Sequence, residues 1–348
     1  MRILAIDMGR SKSVACNYVA QTAEHAFETL PTDPRAFHDL IVSCNPDVVV
    51  IEISPAAGWV RDLAEAMGKR LVVANTADEA WRWRKIKTKT DRKDAMKLAK
   101  MQAMNQLSPV HVPALEVRQW RMLIQYRQTL ISDRTSIRNR IRGVLDCMAK
   151  KLPKGAAAFS DAGVSEWREQ LCKSLPECGM EELWRGMVEQ ELRRLEQLEG
   201  HIDAVEKRLS EKARSDERVR RLAEVPSVGE RTAELVVALL DDPRRFRRGK
   251  QVGNYAGFTP KKYQSGDMDR DGRISRGGCG LLRALLVQVS WIGVYRVPWM
   301  KQLYERVRRG SEKRKKKAIV AVARHLLVKL WAMLRDGSQW REPSAMPA

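Results

Sequence analysis

The six residues Val48-Val49-Val50-Ile51-Glu52-Ile53 constrain this chain more than any other segment. A continuous, β-branched apolar run of this kind is a strand buried on both faces, and such a strand needs helices above and below it. Glu52 breaks the run. A carboxylate in an apolar strand costs roughly several kcal/mol unless it is paired or bound to a metal.

The neighbouring segments supply the rest of a sheet. Ile3 to Asp7 is a second apolar run ending in an acid, Gly9 follows where a turn is needed, and Ser13 to Val19 can pair back as a hairpin. Phe37, Leu40 and Ile41 have helical spacing, Trp59 to Met67 reads as a helix and Leu71-Val72-Val73-Ala74 as a strand. Residues 78–105 read as helix broken by a very basic stretch. Together these predict an α/β domain over residues 1–112, with a mixed sheet and flanking helices.

From about Pro113 the pattern is helical throughout. Residues 116–148 carry Trp120, Leu123, Ile124, Ile131, Ile137, Ile141, Val144 and Leu145 at helical spacing. Arg118, Arg121, Arg127, Arg134, Arg138, Arg140 and Arg142 stand between them, which predicts a basic solvent face. Residues 150–165, with Pro153 and Gly155, read as a linker. Leu192, Leu195, Leu198, Ile202, Val205 and Leu209 then approach the heptad spacing of a coiled-coil arm. Its partner is either the 116–148 helix or the same segment of a second subunit. Residues 113–218 are therefore expected to be a basic-helix and coiled-coil region, and 219–348 an all-α domain.

In that last domain Pro226-Ser227-Val228-Gly229 lies between two apolar helical stretches, as in a helix-hairpin-helix, whose turn amides can face a DNA phosphate. Arg244, Arg245, Arg247, Arg248 and Lys250 follow, the stretch from Gly253 to Gly280 reads as loop, and two helices at about 281–297 and 316–335 close the chain.

Composition narrows the function. The chain has 348 residues and a formal net charge of +21, yet 44% of its residues are hydrophobic, so it is a folded basic protein rather than a basic tail. Such an excess calls for a polyanion, first of all nucleic acid. The basic residues concentrate over 82–100, 118–142, 244–250 and 306–317. Six scattered cysteines, none in a C-x-x-C pair, point away from a zinc knuckle or disulfide framework and toward a reducing compartment. The apolar run at the amino terminus meets Asp7 too soon for a signal peptide, so a soluble cytoplasmic protein is expected.

Two constellations carry chemistry. Asp7 and Glu52 sit at strand positions, while Asp91 and Asp94, three residues apart, project from one helix face and can meet them. Four hard oxygen donors suit magnesium, and paired ions of that kind support phosphoryl transfer. The second is Ser265 in Tyr263-Gln264-Ser265-Gly266, with Arg270, Arg273 and Arg276 nearby. A serine there can attack a phosphate while guanidinium groups stabilise developing charge, although most Ser-Gly pairs are simply turns.

The order of these features resembles one family: the insertion-sequence transposases with an amino-terminal DEDD domain of RNase H-like, Holliday-junction-resolvase fold and a serine-bearing carboxy-terminal domain, known as bridge-RNA-guided recombinases. The resemblance is carried most specifically by Lys89-Thr90-Asp91-x-x-Asp94-Ala95 and by Gly257 to Arg283, including Ile274-Ser275-Arg276-x-Gly278. It implies that Asp7, Glu52, Asp91 and Asp94 bind magnesium and that Ser265 forms a covalent link to DNA. It also implies partners: donor and target DNA, a structured guide RNA, and further copies of the chain in a dimer or tetramer. Many relatives have Glu-Ala-Thr-Gly-x-Tyr where the strand carrying the glutamate ends, whereas this chain has Glu52-Ile53-Ser54-Pro55-Ala56-Ala57-Gly58-Trp59, which alters the loop beside the acids.

Other readings of the same residues are a magnesium-dependent junction-resolving nuclease that uses water, and a non-catalytic helix-hairpin-helix DNA-binding protein. A kinase reading of Asp7-Met8-Gly9 lacks a second phosphate loop.

Overall fold

Residues 1–75, 90–155, 157–265, 268–275 and 277–341 are described by the structure, a computed structural model, with backbone alone for Ser265, Met268 and Asp271. The chain divides into two compact units, Met1–Gln119 and Trp120–Ala348. The basic stretch 82–89 lies outside the described residues.

In the first unit, β1 (Arg2–Met8), β2 (Lys12–Val19) and β3 (His25–Pro31) form an antiparallel meander, and β4 (Val48–Glu52) and β5 (Arg70–Ala74) add in parallel to β1. The strand order is β3-β2-β1-β4-β5. The expected hairpin is present, with Asp7 opposite Val14. Gly9 allows its turn, because a Cβ there would overlap the Lys12 carbonyl. Strand β3 escaped sequence reading because it is an edge strand in which one residue, Leu30, is buried, so no period-two pattern marks it.

Both faces of the sheet are covered. Helices α1 (Pro34–Cys44) and α2 (Ala57–Ala66) bury Phe37, Leu40, Ile41 and Val60 against Leu4, Ile6, Val49, Ile51 and Val73. On the other face α3 (Asp91–Ala103) sets Ala95, Leu98 and Ala99 against Ile3, Ala5, Val48, Val50 and Ala74. Asp33 caps α1, its carboxylate accepting from the Arg35 and Ala36 amides at 3.0 Å each, with Pro34 at the first helical position.

The second unit is helical apart from one hairpin. It contains α4 (Leu115–Cys147, whose first turn belongs to the first unit), α5 (Asp161–Leu171), α6 (Leu183–Ser215), α7 (Glu217–Ala223), α8 (Glu230–Leu240) and α9 (Gly249–Tyr255). The hairpin strands β6 (Pro260–Ser265) and β7 (Met268–Ile274) follow, then α10 (Gly280–Arg296), α11 (Pro298–Arg308) and α12 (Lys315–Asp336). Among the described residues no single helix is long and apolar enough to cross a membrane.

Several expectations are corrected here. The end of the expected linker is α5, anchored by buried Trp167, whose indole donates to the Ala158 carbonyl at 2.8 Å. Three helices, not two, close the chain, because Pro298 starts a new helix at a bend instead of ending the structure. The stretch 253–280 is not loop throughout but carries the hairpin. Its residues are polar on both faces, so no alternation of apolar and polar announces strands.

Residues 113–218 do not form a compact unit of their own. The stripe from Leu192 to Leu209 on α6 is buried in one core with Ile124, Ile137, Ile141 and Leu145 of α4. Ion pairs Arg127–Glu206, Arg134–Glu199, Arg138–Glu199 and Arg140–Glu191 flank it, and their descending order makes α4 and α6 antiparallel. The same core continues into the C-terminal helices. Near the start of α4, the Trp120 indole donates to the buried Glu234 carboxylate of α8 at 2.8 Å, and Arg121 donates to the Ala238 and Leu239 carbonyls at 2.7 and 3.0 Å. Burial pushes the Glu234 carboxyl upward, against the opposing pull of Trp120 and Arg231.

The arginines of the basic face expected on residues 118–142 are thereby engaged by partners within the protein, while staying partly exposed. Besides the four paired arginines and Arg121, Arg118 binds Asp62 and Arg142 donates to the Pro153 and Gly155 carbonyls. Arg127→Gln and Arg134→Gln are expected to lower unfolding stability by about 0.2–1 kcal/mol each, read by chemical denaturation. Their affinity for a mixed-sequence oligonucleotide should stay within about twofold of the parent, since phosphate contacts are what such arginines would otherwise lose. Leu195→Ala, which opens a cavity between α4 and α6, should cost about 2–5 kcal/mol in the same denaturation measurement.

Candidate functional site

The register of the sheet decides where the acids go. Ile6 stands beside Ile51 in the parallel β1–β4 ladder, so Asp7 and Glu52 are the next pair along it. Side chains in a strand alternate faces, and Ala5 and Val50 lie in the core under α3. Asp7 and Glu52 therefore share the face that α3 covers. Both are half-buried at the ends of their strands, where the apolar cover gives out.

Asp91 and Asp94 lie in the first turn of α3, where negative charge is favoured by the helix dipole. Thr90 caps the helix, its hydroxyl accepting from the Lys93 amide at 3.4 Å. Asp94 is half-buried on the same side as Leu98, one turn on, and Asp91 is exposed. Thus all four carboxylates belong to one unit: two on neighbouring strands facing α3, two on α3 itself. Their chemistry suits a hard divalent cation. Among the described residues the side chains are not gathered into a metal-holding group of three or more.

The altered loop after Glu52 runs through Ser54 and Pro55 into α2. Its Gly58 is packed under the Arg118 guanidinium, where a Cβ would lie 2.9 Å from Nε. Arg118 in turn binds Asp62.

Ser265 is the last residue of β6 and pairs with Met268 across the hairpin. Gly266 and Arg276 lie outside the described residues. The base of the hairpin is tightly built. Gly257 and Gly278 both have positive φ, 73° and 71°, and a Cβ on either would overlap a backbone carbonyl, of Gly277 and Tyr255 respectively. Arg283 closes this base by donating to the Ala256 and Gly277 carbonyls at 3.0 and 2.5 Å. The Ser275 amide donates to the Thr259 carbonyl at 2.8 Å. Gly257, Gly278 and Arg283 are therefore structural: they hold the strands that carry Ser265. A cleft along the hairpin is lined by Lys261, Tyr263, Arg270, Arg273 and Ser275, a cationic surface suited to phosphate.

The turn between α7 and α8 includes Ser227 in the left-handed region at φ 74°. Beyond it, Arg244, Arg247, Arg248 and Lys250 are exposed without a carboxylate partner among the described residues. Arg245 is instead held over Phe246 and Tyr255, 4.2 and 4.6 Å from their ring centres. Exposed aromatic Tyr295 was missed in the sequence, although Trp291 four residues earlier was a signal that one helix face carries both.

Two family profiles match the chain. Residues 4–149, which contain all four carboxylates, match the DEDD transposase domain of the IS110 type. Residues 219–305, which contain the Ser265 hairpin, match the transposase IS116/IS110/IS902 family. A putative transposase of Sinorhizobium fredii, y4pF/y4sB, is 26% identical over 98% of this chain and 86% of its own length. The transposase for insertion sequence element IS1111A of Coxiella burnetii is 27% identical over 73% of this chain and 68% of its own length. A pilin gene-inverting protein of Moraxella lacunata is 29% identical over 33% of this chain and 36% of its own length. The mixed sheet with its helical remainder is consistent with an RNase H-like DEDD domain. With a DEDD domain and a transposase domain matched in that order along one chain, the protein belongs to the IS110/IS116/IS902 family of insertion-sequence transposases.

Proposed function

We propose that this transposase cuts and rejoins DNA with Asp7, Glu52, Asp91 and Asp94 as ligands of magnesium and Ser265 as the nucleophile. The observation that carries the reading is the position of Asp7 and Glu52 at one level of adjacent parallel strands, facing the helix whose first turn holds Asp91 and Asp94. When bound, a divalent ion there would stabilise negative charge on phosphate oxygens.

The protein's own part is attack by the Ser265 hydroxyl. Its oxygen forms a bond to the scissile phosphorus, the bond from phosphorus to a deoxyribose oxygen breaks, and that oxygen leaves with a proton. The hydroxyl proton passes to a base. The resulting phosphoserine ester conserves the phosphodiester bond for rejoining, when an incoming deoxyribose hydroxyl reverses the step. Lys261, Arg270 and Arg273 along the hairpin supply positive charge for the phosphate. Guidance by a structured RNA of the same element, and action as a dimer or tetramer, complete the proposal. Support for the polyanion partners is the net charge of +21 and the exposed cations of residues 244–250 and 306–317. The arginines of α4 no longer contribute to it.

Asp7→Asn, Glu52→Gln and Asp94→Asn should each reduce strand exchange by at least about a hundredfold while oligonucleotide affinity changes less than about threefold, because ligand charge serves phosphoryl transfer and affinity comes from Lys and Arg. Gel assays of recombination and anisotropy of binding read the two quantities. Strand exchange at the parent rate in Glu52→Gln removes that residue from the site.

Ser265→Ala should abolish both recombination and the covalent protein–DNA adduct seen on a denaturing gel after trapping. DNA cutting that persists in this variant with no attached protein supports the water-using nuclease instead. An adduct that maps to Ser275 transfers the nucleophile's role to that residue.

A further inference from the structure

The corner between α11 and α12 gathers positive charge that the fold does not use. Lys313, Arg314 and Lys316 are exposed and have no carboxylate partner among the described residues. Glu312, the acid within this corner, accepts from Arg308 and lies 3.9 Å from Lys315. Lys315, Lys316 and Lys317 occupy the first turn of α12, which has no acid, although the positive end of a helix dipole disfavours cations. An arrangement that opposes both like-charge repulsion and the dipole is relieved when an anion binds.

A second feature lies beside the first. The Lys315 ammonium stands 5.8 Å from the centre of the Trp291 ring on α10. One turn along the same face of that helix, Tyr295 is 83% exposed, and Ile292 beside it is exposed as well. Trp291 is backed by Tyr304, ring centres 5.8 Å apart, so the step from Trp291 to Tyr295 rests on the core of the second unit. An exposed aromatic ring next to unpaired cations is the combination that binds single strands: cations take phosphates, and the ring takes the face of an unpaired base. Intact duplex offers the phosphates but keeps its base faces stacked.

We propose that Tyr295, Trp291 and the cationic corner Lys313–Lys316 form a docking surface for single-stranded DNA, the form that strands take when they are opened for exchange. The inference rests on the DNA-recombining function for its choice of DNA as the polyanion. It assigns strand holding to residues other than the four carboxylates and the serine hairpin.

The test is fluorescence anisotropy of the full-length protein, without added divalent metal, on oligo(dT), on a DNA duplex of equal length and on oligo(U). Tyr295→Ala should weaken oligo(dT) binding by about fivefold to a hundredfold, the span for one lost base stack, and leave duplex binding within about twofold. Tyr295→Phe should restore oligo(dT) binding, since the ring and not the hydroxyl is used. Lys313→Gln with Lys316→Gln should weaken both DNA forms and flatten the dependence of log affinity on log salt by about 1.4 on single strands. Unchanged oligo(dT) affinity in Tyr295→Ala overturns the proposal, as does an equal loss on duplex. A larger loss on oligo(U) than on oligo(dT) assigns the surface to RNA and overturns the choice of DNA. Loss of self-association in Tyr295→Ala, with unchanged oligo(dT) binding, makes it an interface between copies. Because binding is read without metal, this surface can fail while Ser265 adduct formation stands, and the reverse.

Discussion

Burial of β4 on both faces is the constraint on which the first unit depends. Val49, Val50 and Ile51 are fully buried between α1 and α2 on one side and α3 on the other. An ionised carboxylate cannot be carried into that layer without a large desolvation cost, so Glu52 stands where the cover ends. Asp7, next to the last residue of β1, stands at the same level. The parallel register of β1 and β4 puts these two acids on one face, and α3, which covers that face, carries Asp91 and Asp94 on its first turn. Nothing about the four residues needs a special loop.

The distribution of positive charge follows a second constraint. A long helix with arginines every few residues looks like a nucleic-acid face, yet α4 and α6 pack as an antiparallel pair whose glutamates meet those arginines. Each partly exposed pair contributes little, about 0–1 kcal/mol, but the paired glutamates offset the positive charge that these arginines would otherwise offer to a phosphate. The cations left over lie on 244–250, along the hairpin and at the α11–α12 corner. At that corner the first turn of α12 carries three lysines against its dipole, each opposed by about 0.3–1 kcal/mol. Stability is lower there than it would be with acids in the same places, and binding is the use that recovers it.

The hairpin shows how a motif can be read as chemistry when much of it is architecture. Gly257, Gly278 and Arg283 belong to its most specific part, and all three are spent on holding two backbones in contact at its base. Their role is to present β6 and β7, with Ser265 at the end of one strand and Arg270 and Arg273 on the other. A Gly257→Ala change would disturb the serine without touching it.

Sequence alone determined the parts of this protein that depend on short-range pattern. The apolar run around Val50, the paired runs Ile3–Asp7 and Ser13–Val19, the helical spacing of Trp120 to Leu145 and the stripe Leu192 to Leu209 each declare an element, because burial imposes a period on neighbouring residues. Asp7 and Glu52 stood out in the same way, as acids at the ends of apolar runs, whereas Ser265 was singled out by the resemblance of its motif and not by any period. Tertiary structure decided what depends on residues far apart in the chain. That Asp7 and Glu52 share a face required the parallel register of β1 and β4, which no local pattern encodes. Strands β6 and β7, polar on both sides, left no periodic trace. The arginines of α4 gave the same local signal whether they face solvent or Glu199 and Glu206, some 60 to 80 residues away, and only the packing of α6 settles which. Charge has no period of its own. Its meaning is set by the neighbour that the fold supplies.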